Sequence, residues 1–274
     1  MQIPNKGFTH AGKLHADDVF STALLMIVNP AYQVQRGFSV PENYDGIVYD
    51  IGFGTFDHHQ KAAAVRPNGV KYAAFGLLWR ELGADILGEV EAARFDAHFV
   101  QGLDADDNTG CGHALADVIG AFNPAWDSKE DADAAFMRAV AWAKTALEQK
   151  FALSAAMRRG DVVVQAALEK MKNNIVYLAD YAPWKNVLIP SKAQFVVYPS
   201  ARGGYSAQGV PLRFDGPALK VPFPAEWAGM SEEELPAVSG IETLRFCHTG
   251  RFLISTGTLE DAYLACAAAR DNAE

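Results

Sequence analysis

Residues 6–28 read KGFTHAGKLHADDVFSTALLMIV, and the fold predicted for the chain rests on them. Residues 6–10 are predicted to form a strand, and Gly12 lies in the turn that follows. A helix is expected from His15 to residue 28, because acidic residues suit the first turn of a helix and Pro30 cannot continue it. A strand followed by a helix is typical of a parallel sheet with crossover connections.

The next apolar segments extend this alternation. Residues 32–36 are a second strand candidate, and residues 46–50 (GIVYD) are an apolar run of the buried-strand type that ends at Asp50. An alanine-rich helical pattern covers residues 127–172, with a break expected near Gly160, and short strand patterns begin at residue 193. We therefore predict an α/β chain. Residues 1–180 form a parallel-sheet domain with a helical extension, and residues 190–274 form a smaller α+β domain.

Composition excludes several classes of protein. Half of the 274 residues are hydrophobic, which is enough for a packed core. The three cysteines form no CxxC pair, so we expect a reducing, cytoplasmic compartment and no disulfide scaffold. No apolar run reaches the roughly 18 residues that span a bilayer, and no signal peptide is expected. The net charge of −9, without a basic run, argues against wrapping around duplex DNA and favours a short or small phosphorylated partner.

Histidines and aspartates are concentrated in the first sixty residues. His10 and Asp50 end two predicted strands, where the functional residues of parallel sheets collect. Carboxylates and imidazoles are the ligands that a di-metal hydrolase needs, and one carboxylate must bridge the ions. We therefore predict a cluster of divalent metals that hydrolyses a phosphate ester, with Asp50 as the bridging ligand. The other candidate metal ligands in this part of the chain are His10, His15 and Asp17.

The segment TFDHHQ (residues 55–60) adds two adjacent histidines. In extended backbone, neighbouring side chains point to opposite sides, so His58 and His59 are not expected to bind one ion in the same way. One is interpreted as a ligand and the other as a proton donor or phosphate contact. Either Asp104 or Asp107 completes the set. Taken alone, residues 104–108 could be a solvated acidic loop, but the joint occurrence of these segments favours a metal site.

Four ordered motifs carry a resemblance to a known family. They are THAGKLHADD (9–18), DIG (50–52), FDHHQ (56–60) and DADDN (104–108). Together they resemble the DHH phosphoesterase superfamily, and within it the melanocyte-proliferating-gene family of manganese-dependent exonucleases, as a bacterial-type member. The resemblance continues through YAAFGLLW (72–79), PAEW (224–227), VSGI (238–241) and FCH (246–248), so it covers nearly the whole chain.

This resemblance implies a five-stranded parallel sheet joined to a smaller domain, with the active site in the cleft between the two. It implies two divalent cations, manganese first and magnesium, cobalt or zinc as alternatives. One ion would be held by His10, His15 and Asp50. The other would be held by Asp17, Asp50, His58 and Asp104. His59 would be the catalytic histidine facing the phosphate, and Asp57 would orient it.

The second domain is expected to bind the substrate. Arg202 lies in a glycine-rich segment, His248 follows a predicted strand, and Ser239 and Gly240 could offer backbone donors. The Gly-Gly-Gly-His motif of many nucleic-acid-cleaving relatives and the Ser-Arg-Lys motif of family II pyrophosphatases are both absent from this sequence. The resemblance therefore identifies the substrate less well than the metal ligands.

The leading functional hypothesis is a metal-dependent phosphodiesterase, a 3′→5′ exonuclease on RNA or short oligonucleotides, in which a metal-activated hydroxide attacks phosphorus. The alternative enzyme is a small-molecule phosphohydrolase for pyrophosphate, a nucleoside bisphosphate or a cyclic dinucleotide. A third hypothesis is a non-catalytic metal-binding protein. The expected partner is a short single-stranded nucleic acid or a small phosphorylated substrate, with no membrane. The apolar helix faces would permit a homodimer.

Overall fold

The first strand, β1 (Lys6–His10), lies at the centre of a three-stranded parallel sheet. It is flanked by β2 (Gln33–Gly37) and β3 (Ile47–Val48). Phe8 of β1 is buried, as its position in a covered central strand requires. Since the three strands are parallel, the residues that follow β1 and β3 lie at one edge of the sheet.

The computed structural model describes residues 1–272 and divides into a first unit of residues 1–155 and a second that begins at residue 156. Helix α1 (Ala16–Val28) is buried from Ala16 to Leu25. Its Phe20 contacts Phe75 and Phe99, with ring centroids 5.5 Å away in each case. The other helices are α2 (Ala74–Leu87), α3 (Glu89–Phe95), a π-helical turn (Asp96–Val100), α4 (Gln101–Thr109), α5 (Ala114–Gly120) and α6 (Ala132–Leu168).

The second unit contains a five-stranded mixed sheet with the order β4-β5-β6-β8-β7. Its strands are β4 (Ile175–Tyr177), β5 (Phe195–Pro199), β6 (Tyr205–Gly209), β7 (Leu244–Cys247) and β8 (Leu253–Thr256). Its shorter helical elements are α7 (Lys185–Leu188), a 3-10 turn (Ala225–Trp227), α8 (Leu235–Ser239) and α9 (Leu259–Asp271). Among the residues of this unit that the structure describes, β4 and β5 alone pair in parallel; the other neighbouring strands are antiparallel, which is typical of an α+β unit.

The mixed α/β architecture with a parallel first sheet is confirmed. Among residues 1–272, however, this sheet has three strands and not the five that the family resemblance implied. The alternative interpretation of residues 104–108 as an acidic loop is wrong, because they lie in α4, where Leu103 and Asp104 are fully buried. The break near Gly160 is also wrong. The helix α6 continues through Gly160, which lies so close to Pro183 that an added Cβ would be 2.8 Å from its Cδ.

The division of the structure at residue 155 precedes the domain boundary predicted at residues 180–190. Strand β4 accounts for part of this difference, since it precedes the predicted boundary but pairs with β5 in the second sheet. The extents of the two domains and a site in the cleft between them stay predictions. Separately, none of the helices that the structure describes is both long and apolar enough to cross a bilayer.

Candidate metal centre

Two side chains from neighbouring strand ends meet at the edge of the first sheet. His10 ends β1, and Asp50 follows β3 after one intervening residue. The Nε2 atom of His10 lies 3.1 Å from Oδ2 of Asp50, whose carboxylate is almost fully buried. The backbone of Asp50 is left-handed, with φ of 58°, a conformation that aspartate and asparagine tolerate better than most residues. This turn of the backbone separates Asp50 from the regular strand.

The start of α1 brings two more carboxylates to the same edge. Asp17 and Asp18 are completely buried, although the first turn of a surface helix normally exposes its charges. The Oδ1 atom of Asp18 accepts a hydrogen bond of 2.9 Å from the backbone N–H of His15, which lies at the N-cap of α1. Its other oxygen, Oδ2, lies 3.3 Å from Nε2 of His10. His10 therefore contacts carboxylates from both α1 and the segment after β3.

His58 links the DHH segment (residues 57–59) to α4. Its Nε2 atom lies 2.9 Å from Oδ2 of Asp107, and its Nδ1 atom lies 3.5 Å from Oδ1 of Asp50. Asp17 is next to this pair, with Oδ2 at 3.9 Å from Nδ1 of His58. Three groups of side chains could each hold a cation, because the potential ligand atoms inside each group lie within 4.8 Å of one another. The groups are Asp50–Asp57–His58–His59, His10–Asp18–Asp50 and His15–Asp17–Asp107.

Too few positively charged side chains lie near the carboxylates of this cluster to neutralise them. Burial, followed by the charges of Asp50 and Asp107, raises the pKa of Asp17 well above its usual range. Burial likewise raises the pKa of Asp18 to about 7. Burial lowers the pKa of His10, but its hydrogen bond to Asp50 and the charge of Asp18 outweigh this effect and raise the pKa to about 9. A bound cation would offset both the burial of these carboxylates and the repulsion between them.

Four buried polar atoms of the cluster make no hydrogen bond within the described part of the chain, although Oδ2 of Asp18 lies 3.3 Å from His10 and Oδ1 of Asp50 lies 3.5 Å from Nδ1 of His58. They are Oδ1 of Asp17, Oδ2 of Asp18, Oδ1 of Asp50 and Nδ1 of His58. An unpartnered buried polar atom costs about 1–3 kcal/mol, and more when it is charged, so four in one place are unfavourable for the protein alone. All four are oxygen or imidazole nitrogen, the donors that divalent cations such as manganese, magnesium and zinc accept. The donor set therefore fits one or more divalent cations.

His59 differs from His58 in both exposure and partners. The side chain of His59 is 55% exposed and that of His58 only 7%. The Nδ1 atom of His59 lies 2.7 Å from Oδ1 of Asp57, an oxygen that also accepts the backbone N–H of His59. The other oxygen of Asp57 accepts the backbone N–H of Phe53 at 2.6 Å. Asp57 thus fixes the ring orientation of His59 and leaves Nε2 available to a ligand.

Asp104 lies outside these three groups and is held by the protein itself. Its Oδ2 atom is 2.7 Å from the guanidinium of Arg66, and its Oδ1 atom accepts the backbone N–H of Gly76 at 3.0 Å. A side chain at position 76 would collide with the Asp104 carboxylate, so only glycine fits there. Arg66 also forms a two-pronged hydrogen bond with Asp96, through Nε at 2.9 Å and Nη2 at 2.6 Å.

The pairing of Arg66 with Asp96 and Asp104 leads to a prediction about stability. Replacing Arg66 by leucine should lower the free energy of unfolding by about 3–5 kcal/mol, because it leaves a buried carboxylate unpaired. Urea unfolding followed by circular dichroism measures this change. In the matched control, Arg94→Leu breaks a more exposed pair with Glu91 and should cost about 1 kcal/mol or less. Equal losses in the two variants would contradict a structural role for Arg66.

The four substrate-binding candidates lie in the second unit. Arg202 is exposed in the turn between β5 and β6. The hydroxyl of Ser239 donates to Leu235 O at 2.7 Å, and Gly240 ends α8 with a φ of 69°. Nδ1 of His248 accepts the backbone N–H of Gly250 at 2.9 Å. Across residues 1–272, no hydrogen bond joins any two of these four residues, so their shared role stays a prediction.

A cavity of about 820 Å³ in the first unit opens onto the cluster. Its lining residues are His10, His15, Phe38, Asp50, Ile51, Gly52, Phe53, Asp57, His58, His59, Asp107 and Asn108. Sequence reasoning did not assign a role to Asp18, Phe38, Phe53 or Asn108. The adjacency of Asp18 to Asp17 was the one available signal. Nothing in the sequence pattern distinguishes Phe38 or Phe53 from core phenylalanines.

Buried carboxylates and imidazoles lie together at the ends of parallel strands. The chain is therefore an α/β protein with a candidate centre for divalent cations. Residues 7–269 match the family model MYG1_exonuc, described as "Uncharacterised protein family (UPF0160)", and the chain belongs to this family. It is 26% identical to the "MYG1 protein" of Dictyostelium discoideum, with 93% of each chain covered. It is 29% identical to the "MYG1 protein" of Chlamydia pneumoniae, with 92% of each covered.

A human relative carries a more specific description. The chain is 27% identical to the Homo sapiens "MYG1 exonuclease" over 96% of this chain and 85% of the human protein. The corresponding rat protein, also described as "MYG1 exonuclease", is 26% identical. No solved structure gives a significant match to the chain.

Proposed function

We propose that this protein is a divalent-metal-dependent phosphodiesterase of the nuclease type, acting as a 3′→5′ exonuclease on RNA or short oligonucleotides. The observation that carries the proposal is the set of unpartnered buried oxygens and imidazole nitrogen from α1, the segment after β3 and the DHH segment. The description of the human, rat and mouse relatives as exonucleases supports the choice of reaction. Membership of the DHH phosphoesterase superfamily and a preference for manganese are parts of the same proposal.

Two sets of residues would hold the cations. His10 and Asp50 belong to the first set, and Asp17, Asp50, His58 and Asp107 form the second. The family resemblance assigns His15 to the first set, and its ring centroid lies 5.6 Å from that of His10, but its nearest potential partners are Asp17 and Asp107 of the second. Asp107 takes the position for which Asp104 was the first candidate, because Asp107 contacts His58 while Asp104 contacts Arg66. Burial would raise the pKa of Asp107, but the hydrogen bond with His58, the charge of His58 and smaller contributions from Asp17 and His15 together outweigh burial and lower the pKa. Asp107 is therefore ready to bind a cation in its charged form.

The protein's own groups would orient the phosphate and offset its charge. Divalent cations at this centre would activate water and polarise the phosphoryl group. His59 would donate a hydrogen bond from Nε2 to a phosphoryl oxygen as negative charge develops there. Asp57 would hold the ring of His59 for this task through the 2.7 Å contact with Nδ1. Arg202, Ser239, Gly240 and His248 are proposed to bind the parts of the substrate that do not react.

The choice between Asp104 and Asp107 gives a second prediction. Asp107→Asn should weaken manganese binding by about tenfold or more while leaving the free energy of unfolding nearly unchanged. Asp104→Asn should lower the free energy of unfolding and leave manganese binding nearly unchanged, because Asp104 is fully buried against Arg66. Isothermal titration with manganese and urea unfolding, applied to both variants, measure the two effects. If Asp104→Asn alone weakens metal binding, the assignment of the fourth ligand is reversed.

A panel of substrates tests the proposed reaction. Purified protein with manganese should shorten labelled single-stranded RNA stepwise from its 3′ end, and chelation should stop the reaction. Single-stranded DNA, dinucleotides and pyrophosphate belong in the same panel. Faster hydrolysis of pyrophosphate than of RNA would replace the proposal with the small-molecule alternative. Absence of hydrolysis on every substrate would favour a non-catalytic metal-binding protein.

A further inference from the structure

Two phenylalanine side chains line the cavity at the candidate metal centre and remain exposed. Phe38 is 84% exposed and Phe53 is 71% exposed. Phe38 follows β2, and Phe53 lies in the turn between Asp50 and Asp57. An aromatic ring that is left in water forgoes the burial that normally stabilises it, so two such rings in one cavity are unusual.

The backbone at Phe53 adds an independent observation. Its φ is 56°, in the left-handed region where a bulky residue is a genuine outlier. Glycine adopts this conformation without cost, and the exposed Phe53 side chain gains little burial in compensation. The backbone N–H of Phe53 donates to Oδ2 of Asp57, so the strained residue is tied to the group that orients His59. Strain that is kept at an exposed position next to a site points to a function for the side chain.

The chemistry of the cavity indicates what these rings would contact. Among the described residues, neither a lysine nor an arginine lines it, so it has no cation of its own for a second phosphate group. The rings and Ile51 offer flat and apolar surface beside the carboxylates and histidines. A nucleobase has a π-face that stacks on an aromatic side chain whatever its sequence. A base already paired in a duplex is less free to stack on a protein ring.

We propose that Phe38 and Phe53 form a stacking platform for the bases next to the cleaved phosphodiester. The substrate of this centre is therefore a single-stranded oligonucleotide that is recognised through its bases. Pyrophosphate and other base-free phosphates lack the group that the platform recognises. This inference rests on the proposed function, because it places the reacting phosphate at the candidate metal centre.

Binding to a hydrolysis-resistant strand tests the platform. The probe is a fluorescent, phosphorothioate-linked single-stranded RNA, and its comparison is a strand of equal length made of abasic residues. Anisotropy titrations with manganese give the dissociation constants. Phe38→Leu and Phe53→Leu should each raise the constant for the RNA about tenfold and leave that for the abasic strand unchanged, since base–aromatic stacking contributes about 1–3 kcal/mol per base. Replacement by tryptophan should restore tight binding.

Two further variants keep the test interpretable. Trp126→Leu removes a ring that is 97% exposed but does not line the cavity, so RNA binding should stay unchanged. Phe53→Gly should bind RNA as weakly as Phe53→Leu while raising the melting temperature, because glycine relieves the left-handed strain. Weak binding in a more stable protein cannot result from unfolding.

Equal affinity of the wild-type protein for the RNA and the abasic strand would overturn the platform. So would Phe38→Leu and Phe53→Leu variants that bind RNA as tightly as the wild type, or a wild-type protein that binds neither strand. Cleavage of unmodified RNA with manganese is measured in parallel and reports on the proposed function alone. Ring-dependent binding without cleavage would overturn the proposed function and leave the two rings only as a base-binding site. Cleavage with equal binding of both strands would keep the function and overturn the platform.

Discussion

Replacing Asp50 by asparagine should abolish manganese-dependent phosphodiester cleavage. Asp50 contacts His10 on one side and His58 on the other, so in the proposed centre it would be the carboxylate shared by two cations. Changes to the outer partners of metal ligands typically cost about 10–100-fold in affinity or activity, and a shared ligand should cost more. Turnover of labelled single-stranded RNA and manganese content are the two measurements. Near wild-type turnover in this variant would end the di-metal proposal.

Asparagine is the appropriate replacement because of the backbone. With φ at 58°, an alanine at position 50 would be strained, whereas asparagine tolerates the left-handed region. The substitution also removes one charge from a cluster in which burial first, and then the charge of Asp50, raises the pKa of Asp17 and Asp18. In the metal-free protein the gain from removing this charge opposes the loss of the charged contact between Asp50 and His10, so unfolding is measured alongside turnover. The control is Asp45→Asn, since the Asp45 side chain is 99% exposed and its loss should leave turnover unchanged.

Replacing His59 by glutamine should lower turnover by about 100- to 1000-fold, the usual cost of losing one donor to a developing oxyanion. Metal content should stay close to that of the wild type, because His59 is 55% exposed and its Nδ1 is engaged by Asp57. Initial rates at saturating RNA and metal analysis of the same samples separate the two effects.

His58→Gln is the matched comparison for this experiment. His58 is buried between Asp50 and Asp107, so its loss should reduce metal affinity first and turnover as a consequence. Exposed His98 lies outside the three groups, and His98→Gln should change neither quantity. If His59→Gln strips the metal and His58→Gln does not, the roles of the two adjacent histidines are reversed.

Much of the candidate site could be predicted because it depends on local rules. His10 ends β1 and Asp50 follows β3 by two residues; because these strands are parallel, their carboxyl ends lie at the same edge of the sheet, so the proximity of the two side chains could be predicted. The expectation that neighbouring side chains face opposite ways is wrong for His58 and His59, because their ring centroids lie only 4.1 Å apart, although His59 is far more exposed than His58. Asp17 lies in the first turn of α1, where the sequence pattern placed it.

Long-range contacts could not be predicted in the same way. Asp104 and Asp107 are three residues apart in α4, and the sequence alone leaves either as the ligand candidate. The structure separates them through Arg66, which pairs with Asp104 from a distant loop. The turn that connects Asp50 and Phe53 gives both residues a left-handed backbone. The sequence does not predict this conformation, because neither position is a glycine. Exposure of Phe38 likewise depends on the packing of the whole unit.

A manganese titration of the metal-free wild-type protein, followed by electron paramagnetic resonance, tests the central claim most directly. Free manganese gives a sharp signal that binding removes, so the number of bound ions per chain can be counted. We expect two ions per chain, and a lower count or much weaker binding in Asp50→Asn. A wild-type protein that binds no manganese at millimolar concentration, or binds it equally well without the Asp50 carboxylate, would contradict the account.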